Sequence, residues 1–326
     1  MQEVIEPMRN PTDVAFAANP DTRFIDRAMG MIFLARSNRR TERCGTVRFA
    51  IWLMLAGVCF GCPCAEVVAQ QAPRTQGFVI CYNPRTPPQQ FAPFSLVVVD
   101  YEYPPASVAL LRRQGKIVFG YVSIAKVHRL RPFVAKVKDL GIGYTQDPLF
   151  SGTFQINAAN PKWQNLVVQE IVPQLKRLGF NGIFLDDLDD LKNRKLEQHG
   201  VSLIRELRRE HPELKLMANR GLEYLADFAS NVDYVLLESC FSLNGQIRKP
   251  ADSAWAMRFL KAGKGINPSL QGVAVDYIPK SNLTPIRGQS LNQTQSRLVA
   301  RIRQLHTENG LLSCVSTEDL QSVPRF

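Results

Sequence analysis

The chain has few of the residues that usually bind catalytic metals. Four histidines occur in its 326 residues, namely His128, His199, His211 and His306. No two of them have the short spacing that is typical of zinc ligands. We therefore expect no metal in the functional site. The acidic run at 186–190 leaves one alternative open, a calcium or magnesium site built from carboxylate oxygens.

The chain also lacks a glycine-rich loop for binding phosphate groups. No such motif follows an early predicted strand, as dinucleotide-binding and nucleotide-binding folds require. This absence argues against a nucleotide cofactor, and we expect no cofactor of any kind. It also argues against a doubly wound open sheet, the main competitor for the fold.

Cysteine is present, but not in the pattern of a disulfide-rich protein. Four of the seven cysteines lie within the first 64 residues, and Cys81, Cys240 and Cys314 follow. These three are odd in number and show no metal-ligand spacing. We expect them to be buried, unreactive thiols.

The basic charge of the chain does not indicate a nucleic-acid partner. The net charge is +11 and the isoelectric point is near 9.5, yet no cluster of lysine and arginine is interleaved with aromatic residues. The nearest candidate, RLRPFVAKVK at 129–138, is more simply the solvated face of a loop or helix. We expect no nucleic-acid partner, and the sequence leaves the oligomeric state open.

A targeting signal is predicted near the N-terminus. Five arginines at 36–48 precede an apolar run at 49–60. That run is shorter than the roughly 20 residues that a membrane-spanning helix needs. A basic flank and a short apolar core are typical of a signal peptide, and small residues ending at Ala69 offer a cleavage site.

This signal divides the chain in two. We predict an N-terminal extension and signal peptide over 1–69 and one mature domain over 70–326. We expect secretion or export to the periplasm, with no stable membrane span after cleavage. The long stretch before the basic flank is unusual for a signal, so Met29 or Met31 is an alternative start.

Predicted strands and helices alternate through the whole mature chain. Short apolar runs bounded by glycine, proline and acids predict buried strands, and amphipathic stretches predict helices, including one over 161–178. About eight strands in roughly 250 residues match a single (β/α)8 barrel. We therefore predict an α/β fold, a single-domain TIM barrel, with a long irregular stretch at 126–153.

The segment GFNGIFLDDLDD at 179–190 is central to this prediction. Its apolar run predicts a strand covered on both faces, as in a parallel sheet. Asp186 then lies at the carboxyl end of that strand, where barrels place their chemistry. The alternative is that Asp186 and the acids after it form a solvated loop that caps the next helix.

In a barrel, the residues that end the strands converge at one mouth. The strand ends of this chain supply carboxylates, an amide, a hydroxyl and aromatic rings. The candidate site residues are Asp100, Tyr101, Tyr121, Ser123, Asp186, Asn219, Glu238, Asp276 and Tyr277. Carboxylates supply the acid, base or nucleophile at a glycosidic bond. This combination therefore favours a polysaccharide as the substrate.

Several of these segments resemble one known family. GFNGIFLDDLDD is similar to the signature of glycoside hydrolase family 114, whose barrel proteins are related to endo-α-1,4-polygalactosaminidase. Other segments agree with the family in the same order along the chain. They are VVVDY at 97–101, GYVSIAK at 120–126, NPKWQ at 160–164, MANRG at 217–221, VLLES at 235–239, VDY at 275–277 and GLLSCVSTEDL at 310–320.

The resemblance implies roles for the strand-end residues. It implies that Asp186 and Glu238 are the catalytic pair. It also implies that five further residues line the substrate cleft, namely Asp100, Tyr121, Ser123, Asn219 and Tyr277. One position departs from the family, because Lys126 stands where bacterial relatives often have glutamate, which puts that part of the substrate site in question.

The leading hypothesis is a secreted glycoside hydrolase that cleaves a galactosamine-type polysaccharide with two carboxylates. Glu238 would act as general acid and base and Asp186 as nucleophile or base, although the two roles could be exchanged. The first alternative is an inactive barrel that binds exopolysaccharide, and a metal-assisted hydrolase is the second. The sequence does not decide the linkage, the acetylation of the substrate or the stereochemical course.

Overall fold

A computed structural model describes residues 77–148, 150–279 and 291–324 of the chain. The predicted extension and signal peptide over 1–69 therefore lie outside the described residues. Within the described ranges, no helix has both the length and the apolar character needed to cross a bilayer.

Eight parallel strands form one sheet in which each strand pairs with the next along the chain. The strands are β1 (Phe78–Cys81), β2 (Leu96–Val99), β3 (Ile117–Ser123), β4 (Gly182–Asp186), β5 (Lys215–Asn219), β6 (Tyr234–Glu238), β7 (Gln271–Ile278) and β8 (Leu312–Thr317). The last strand lies beside the first, and just beyond their ends the Tyr82 N–H donates to Leu320 O at 2.8 Å. The sheet is nearly closed, which confirms the predicted (β/α)8 barrel.

Helices occupy the connections between the strands. They are α1 (Pro105–Arg113), α2 (Val134–Asp139), α3 (Pro161–Leu166), α4 (Val172–Arg177), α5 (Leu188–Asn193), α6 (Glu197–Glu210), α7 (Leu225–Phe228), α8 (Pro250–Ile266) and α9 (Gln293–Glu308). Short 3-10 turns add Pro88–Phe91, Leu222–Tyr224 and Ala229–Asn231. Proline opens α1, α3 and α8, where its missing N–H breaks no helical bond.

The single helix predicted over 161–178 is interrupted. A π-helical turn, Val167–Ile171, separates α3 from α4. Pro173 lies just beyond this turn and has no N–H to donate to the preceding turn of a helix. The apolar spacing alone did not reveal this interruption.

The strands are buried on both faces, as their unbroken apolar runs predicted. Every residue of β1 and β2 is buried, which is the pattern of a parallel sheet covered by helices. Gly182 in β4 is in register with Phe119 in β3. A Cβ at Gly182 would lie 2.5 Å from the Phe119 ring, so glycine is required for the two strands to pair closely.

The connection from β3 to α3, here called the β3 insertion (residues 124–160), has a structure of its own. It holds a three-stranded antiparallel sheet of Lys126–His128, Tyr144–Gln146 and Thr153–Ile156. The prediction of an irregular stretch at 126–153 was wrong for the first two of these strands. Each of those two is three residues long, which is too short for its pattern to stand out in the sequence.

The three cysteines of the described chain are free and buried. Burial raises the pKa of Cys81, and it raises the pKa of Cys240 and Cys314 to about 12. The thiolate, which is the reactive form, is therefore disfavoured. This agrees with the prediction of buried, unreactive thiols.

Candidate active site

Asp186 stands at the carboxyl end of β4, after four buried residues. The next residue, Asp187, has a left-handed backbone with φ 68° and ψ 25°. The Asp187 N–H donates to Asp186 Oδ1 at 2.8 Å. Asp187 precedes α5 but its side chain makes no capping hydrogen bond to that helix, so helix capping does not account for its position.

Asn219, at the end of β5, connects the two predicted catalytic carboxylates. Its Nδ2 donates to Asp186 Oδ1 at 2.8 Å and to Glu238 Oε2 at 2.8 Å. Since both oxygens lie at that distance from one nitrogen, they are no farther apart than twice 2.8 Å. The barrel therefore brings the two acids to the same point of its mouth.

Glu238 ends β6 and is almost fully buried. Its second oxygen, Oε1, accepts a hydrogen bond from the Tyr277 hydroxyl at 2.7 Å. Both oxygens of Glu238 thus have neighbours that fix their orientation. A carboxyl group held in this way points in a single direction at the mouth, as a catalytic acid requires.

Each of these three strand ends is followed by a residue in a left-handed conformation. The φ angles are 68° at Asp187, 58° at Arg220 and 52° at Ser239. Non-glycine residues rarely adopt positive φ, because their Cβ approaches the following carbonyl oxygen. Backbone conformations of this kind are concentrated at functional sites.

The surroundings raise the pKa of both carboxyl groups. Burial raises the pKa of Asp186 to about 7, and the neighbouring Asp187 and Glu238 carboxylates add to the shift. Burial also raises the pKa of Glu238, although the hydrogen bonds from Asn219 and Tyr277 oppose this. Two acids this close do not readily ionise together, so the pair retains a proton near neutral pH.

Ser123 and Asp187 form a second layer beside the pair. The Ser123 hydroxyl donates to Asp187 Oδ2 at 2.5 Å. Lys126 Nζ lies 3.4 Å from Asp187 Oδ1. Ser123, which is expected to contact substrate, is hydrogen-bonded to the residue that follows Asp186.

The aromatic residues predicted at the mouth line a pocket next to this layer. Tyr101 and Tyr121 lie in its wall together with Ser123, Arg131 and Asp187. Neither Asp186 nor Glu238 lines this cavity, so it lies beside the carboxyl pair.

Asp100 lies at the end of β2 as predicted, but it is buried under Arg131. The Arg131 guanidinium makes two hydrogen bonds to the carboxylate, at 3.1 Å and 3.0 Å. It also lies over the Tyr121 ring, 5.5 Å from its centre. Asp100 therefore orients Arg131 in the pocket wall, and its own carboxylate does not reach the pocket.

Asp276 is the one predicted site residue that the structure places away from the mouth. It is fully buried, and its Oδ2 lies 2.8 Å from Nε2 of His306 on the outer helix α9. The Ser242 hydroxyl donates to Oδ1 at 2.9 Å. Successive residues of a strand face opposite sides, so Tyr277 faces the mouth and Asp276 faces the helices.

The acidic run after β4 was the candidate for a calcium or magnesium site. Among the described residues, no group of three or more histidine, cysteine, aspartate or glutamate side chains is arranged to hold a metal ion. The acids of the run turn to different partners: Asp187 contacts Ser123, Asp189 pairs with Arg220 and Asp190 pairs with Arg194.

Comparison with known families agrees with this geometry. Residues 64–315 match the sequence model of Glycoside-hydrolase family GH114. The chain belongs to glycoside hydrolase family GH114. This confirms the family and the enzyme class predicted from the strand-end motifs. The match begins five residues before the predicted cleavage site at Ala69.

Two solved structures resemble this GH114 chain over most of their length. The glycoside hydrolase domain of PelA from Pseudomonas aeruginosa is 24% identical, with a TM-score of 0.61, covering 76% of this chain and 96% of that domain. Ega3 from Aspergillus fumigatus, solved in complex with galactosamine, is 15% identical, with a TM-score of 0.57, covering 77% of this chain and 95% of that one. These likenesses show the fold. No curated protein sequence matches the chain.

Sequence reasoning about this GH114 chain missed several residues of the site. Arg131 and Asp147 belong to the β3 insertion, where no strand pattern marked them. Arg220 follows Asn219 directly and pairs with Asp189 at 2.7 Å. A charged residue next to a predicted strand end is the available signal for Arg220.

Proposed function

We propose that this enzyme cleaves an amino-sugar-containing polysaccharide internally, and that it retains the configuration of the anomeric carbon. The observation that carries the proposal is the Asn219 amide, which bridges Asp186 and Glu238 with two hydrogen bonds of 2.8 Å. A pair of carboxyl groups held together at a barrel mouth is the apparatus of glycoside hydrolysis.

The spacing of the pair favours retention. Retaining enzymes hold their carboxyl groups about 5–5.5 Å apart, whereas inverting enzymes need about 6.5–9.5 Å to fit a water molecule. The facing oxygens of Asp186 and Glu238 can be separated by no more than twice 2.8 Å. An approach this close between one oxygen of each group favours the shorter, retaining separation.

The hydrogen bonds restrict where the shared proton can reside. An amide N–H donates only, so the two oxygens that face Asn219 must act as acceptors. The proton therefore lies on Asp186 Oδ2 or on Glu238 Oε1. We assign the productive form as the one with the proton on Oε1, in which the carboxyl O–H donates to the Tyr277 oxygen across the same 2.7 Å.

The reaction then proceeds in two balanced steps. Glu238 gives its proton to the glycosidic oxygen while Asp186 Oδ2 attacks the anomeric carbon, so a carbon–oxygen bond to Asp186 forms as the glycosidic bond breaks. In the second step Glu238 takes a proton from water, and the oxygen of that water displaces Asp186. Asp186 is suited to attack because two N–H groups hold Oδ1 while Oδ2 has no hydrogen bond within the described residues.

The proposed substrate follows from the site and the structural neighbours. Tyr101 and Tyr121 offer aromatic surface, and the galactosamine complex of Ega3 supports an amino sugar as the unit bound. The carboxylates of Asp186 and Asp187 attract an ammonium group at short range. The overall charge of +11 would slow the approach of a cationic polymer, so the local acids must provide its capture.

The location of the enzyme is also part of the proposal. The basic flank and apolar core within 1–69 support export, and an exported enzyme would meet polysaccharide outside the cytoplasm. A fusion of 1–69 to a reporter enzyme that is active only after export tests this. A reporter that stays inactive would contradict it.

The test is release of reducing ends from a galactosamine-containing polysaccharide. We expect Asp186→Asn and Glu238→Gln each to lower the rate by about 10³-fold or more. The exposed Asp139→Asn and Glu213→Gln are matched controls that should retain wild-type rates. Binding without release by the wild type would refute the proposal, and formation of the opposite anomer, followed by NMR, would refute retention.

A further inference from the structure

Lys126 begins the first strand of the β3 insertion, and its side chain is only 10% exposed. Its Nζ lies 3.3 Å from Asp147 Oδ2 and 3.4 Å from Asp187 Oδ1. It also lies 4.9 Å from the centre of the Phe150 ring. A buried ammonium group depends on its charged partners in the protein, because water cannot solvate it in their place.

Asp187 is held at both of its carboxylate oxygens by β3 and its insertion. Ser123 donates to Oδ2 at 2.5 Å, while Lys126 contacts Oδ1. The φ angle of 68° is unfavourable for a residue other than glycine, so the surroundings must stabilise it. The backbone N–H of the same residue donates to Asp186 Oδ1 at 2.8 Å.

We propose that Lys126 is a positioning residue for the hydrolysis reaction, acting through Asp187 to hold the Asp186 carboxylate in its attacking orientation. The inference rests on the proposed role of Asp186 as nucleophile. A positioning role for Lys126 would make the β3 insertion contribute to the reaction, because the insertion supplies the ammonium group that holds the turn after β4.

Several charged groups face this ion pair. Asp147 approaches Lys126 from the insertion, and Asp187 and Asp190 approach it from the turn after β4. Arg194 pairs with Asp190 at 3.0 Å and donates to two backbone carbonyls of the insertion. Loss of the Lys126 charge would therefore leave three neighbouring acids with one fewer cation to offset them.

The pKa of Asp186 depends on these neighbouring charges. The carboxylates of Asp187 and Glu238 both raise its pKa. Without Lys126, the negative charge on Asp187 is less compensated and its side chain is less constrained. The pKa of Asp186 should then rise, and the turn should lose the geometry that supplies its N–H donor.

The test compares Lys126→Met with Lys138→Met, which removes the same charge from an exposed site of the insertion. On a galactosamine polymer, we expect Lys126→Met to lower kcat by about tenfold or more with little change in KM. We expect the acid limb of its pH profile to move up by about half a unit or more. Lys126→Arg should restore part of the rate, and Lys138→Met should match the wild type.

A second variant and a second readout separate positioning from misfolding. In Asp187→Asn, asparagine tolerates the left-handed backbone but removes the acid, so the pKa of Asp186 should fall. Opposite shifts from the two members of one ion pair are not expected from a packing defect. The Asp186 carboxyl carbon, followed by ¹³C NMR titration and identified by its absence in Asp186→Asn, reports both shifts without substrate.

The outcomes distinguish this inference from the proposed function. An Asp186 pKa that is the same in the wild type, Lys126→Met and Asp187→Asn would overturn the positioning role, whether or not the enzyme cleaves the polymer. A wild type that releases no reducing ends, yet shows the opposite titration shifts, would refute the substrate and leave the coupling intact. A change in KM alone would mean that Lys126 contacts substrate instead.

Discussion

The Asn219 amide offers the sharpest test of how this site works, because one nitrogen serves both carboxylates. Asn219→Ala removes two hydrogen bonds to acidic groups at once, each of 2.8 Å. The Oδ1 of Asn219 is buried and has no hydrogen-bond partner among the described residues. The truncation therefore removes an unsatisfied acceptor together with the two useful donors.

The magnitude follows from those bonds. A hydrogen bond to a charged group contributes about 1.5–3 kcal/mol, and one pKa unit corresponds to about 1.36 kcal/mol. The Asn219 bond lowers the pKa of Asp186 against the upward effect of burial. Its loss should therefore raise that pKa by about one to two units.

Loss of the Asn219 donors should also change how the reaction rate depends on pH. The reaction needs Asp186 ionised, so activity falls as the pH drops through its pKa. Asn219→Ala should move this acid limb upward, and loss of orientation should lower the maximal rate by about 10²-fold. Because an unsatisfied acceptor is also lost, the melting temperature should change little.

The assay is kcat/KM for polymer cleavage measured across the pH range, with thermal unfolding of the same samples. Asn309→Ala is the control, because its side-chain amide donates only to the backbone carbonyl of Leu305. An acid limb that stays in place or moves to lower pH would show that Asn219 does not stabilise the ionised nucleophile. A large loss of thermal stability would show that its role is structural.

Two further predictions concern stability. The pKa of Asp186 is raised from 3.8 to about 7, so the folded state binds the proton more tightly than the unfolded state, and stability falls as the pH rises through that window. Asp186→Asn should remove this fall and be more stable than the wild type by about 1–3 kcal/mol at pH 8. Thermal unfolding measured against pH would show this difference. Arg131→Met leaves the buried Asp100 unpaired and should lower the free energy of unfolding by about 3–5 kcal/mol, measured with urea, and a loss below 1 kcal/mol would contradict the ion pair.

The sequence allowed the strand ends to be located because buried parallel strands are unbroken apolar runs that stop at polar residues. Asp186, Asn219 and Glu238 were found in this way, and the structure brings them together. The direction of each side chain was not accessible. A strand buried on both faces shows no alternation of apolar and polar residues, so the sequence does not tell which of Asp276 and Tyr277 faces the mouth. Only the structure shows that Asp276 faces His306.

The charged residues of the β3 insertion could not be assigned for a different reason. Arg131 pairs with Asp100 across 31 positions of the chain, and Lys126 pairs with Asp187 across a separation almost twice as long. Nothing in the local sequence marks either pair. Pairs of this kind are specified by the packing of the insertion on the barrel, which a pattern of short strands does not reveal.

The left-handed residues after β4, β5 and β6 connect the fold to the chemistry. Asp187, Arg220 and Ser239 all have positive φ, at a cost of roughly 1–2 kcal/mol each for residues other than glycine. Stability alone would favour glycine at these turns. Instead, two of these residues make contacts through their side chains. Asp187 contacts Ser123 and Lys126. Arg220 pairs with Asp189, and its charge lowers the pKa of Glu238. At Asp187 and Arg220 the strain is thus tolerated where the residue in the turn supplies a charge beside the acids.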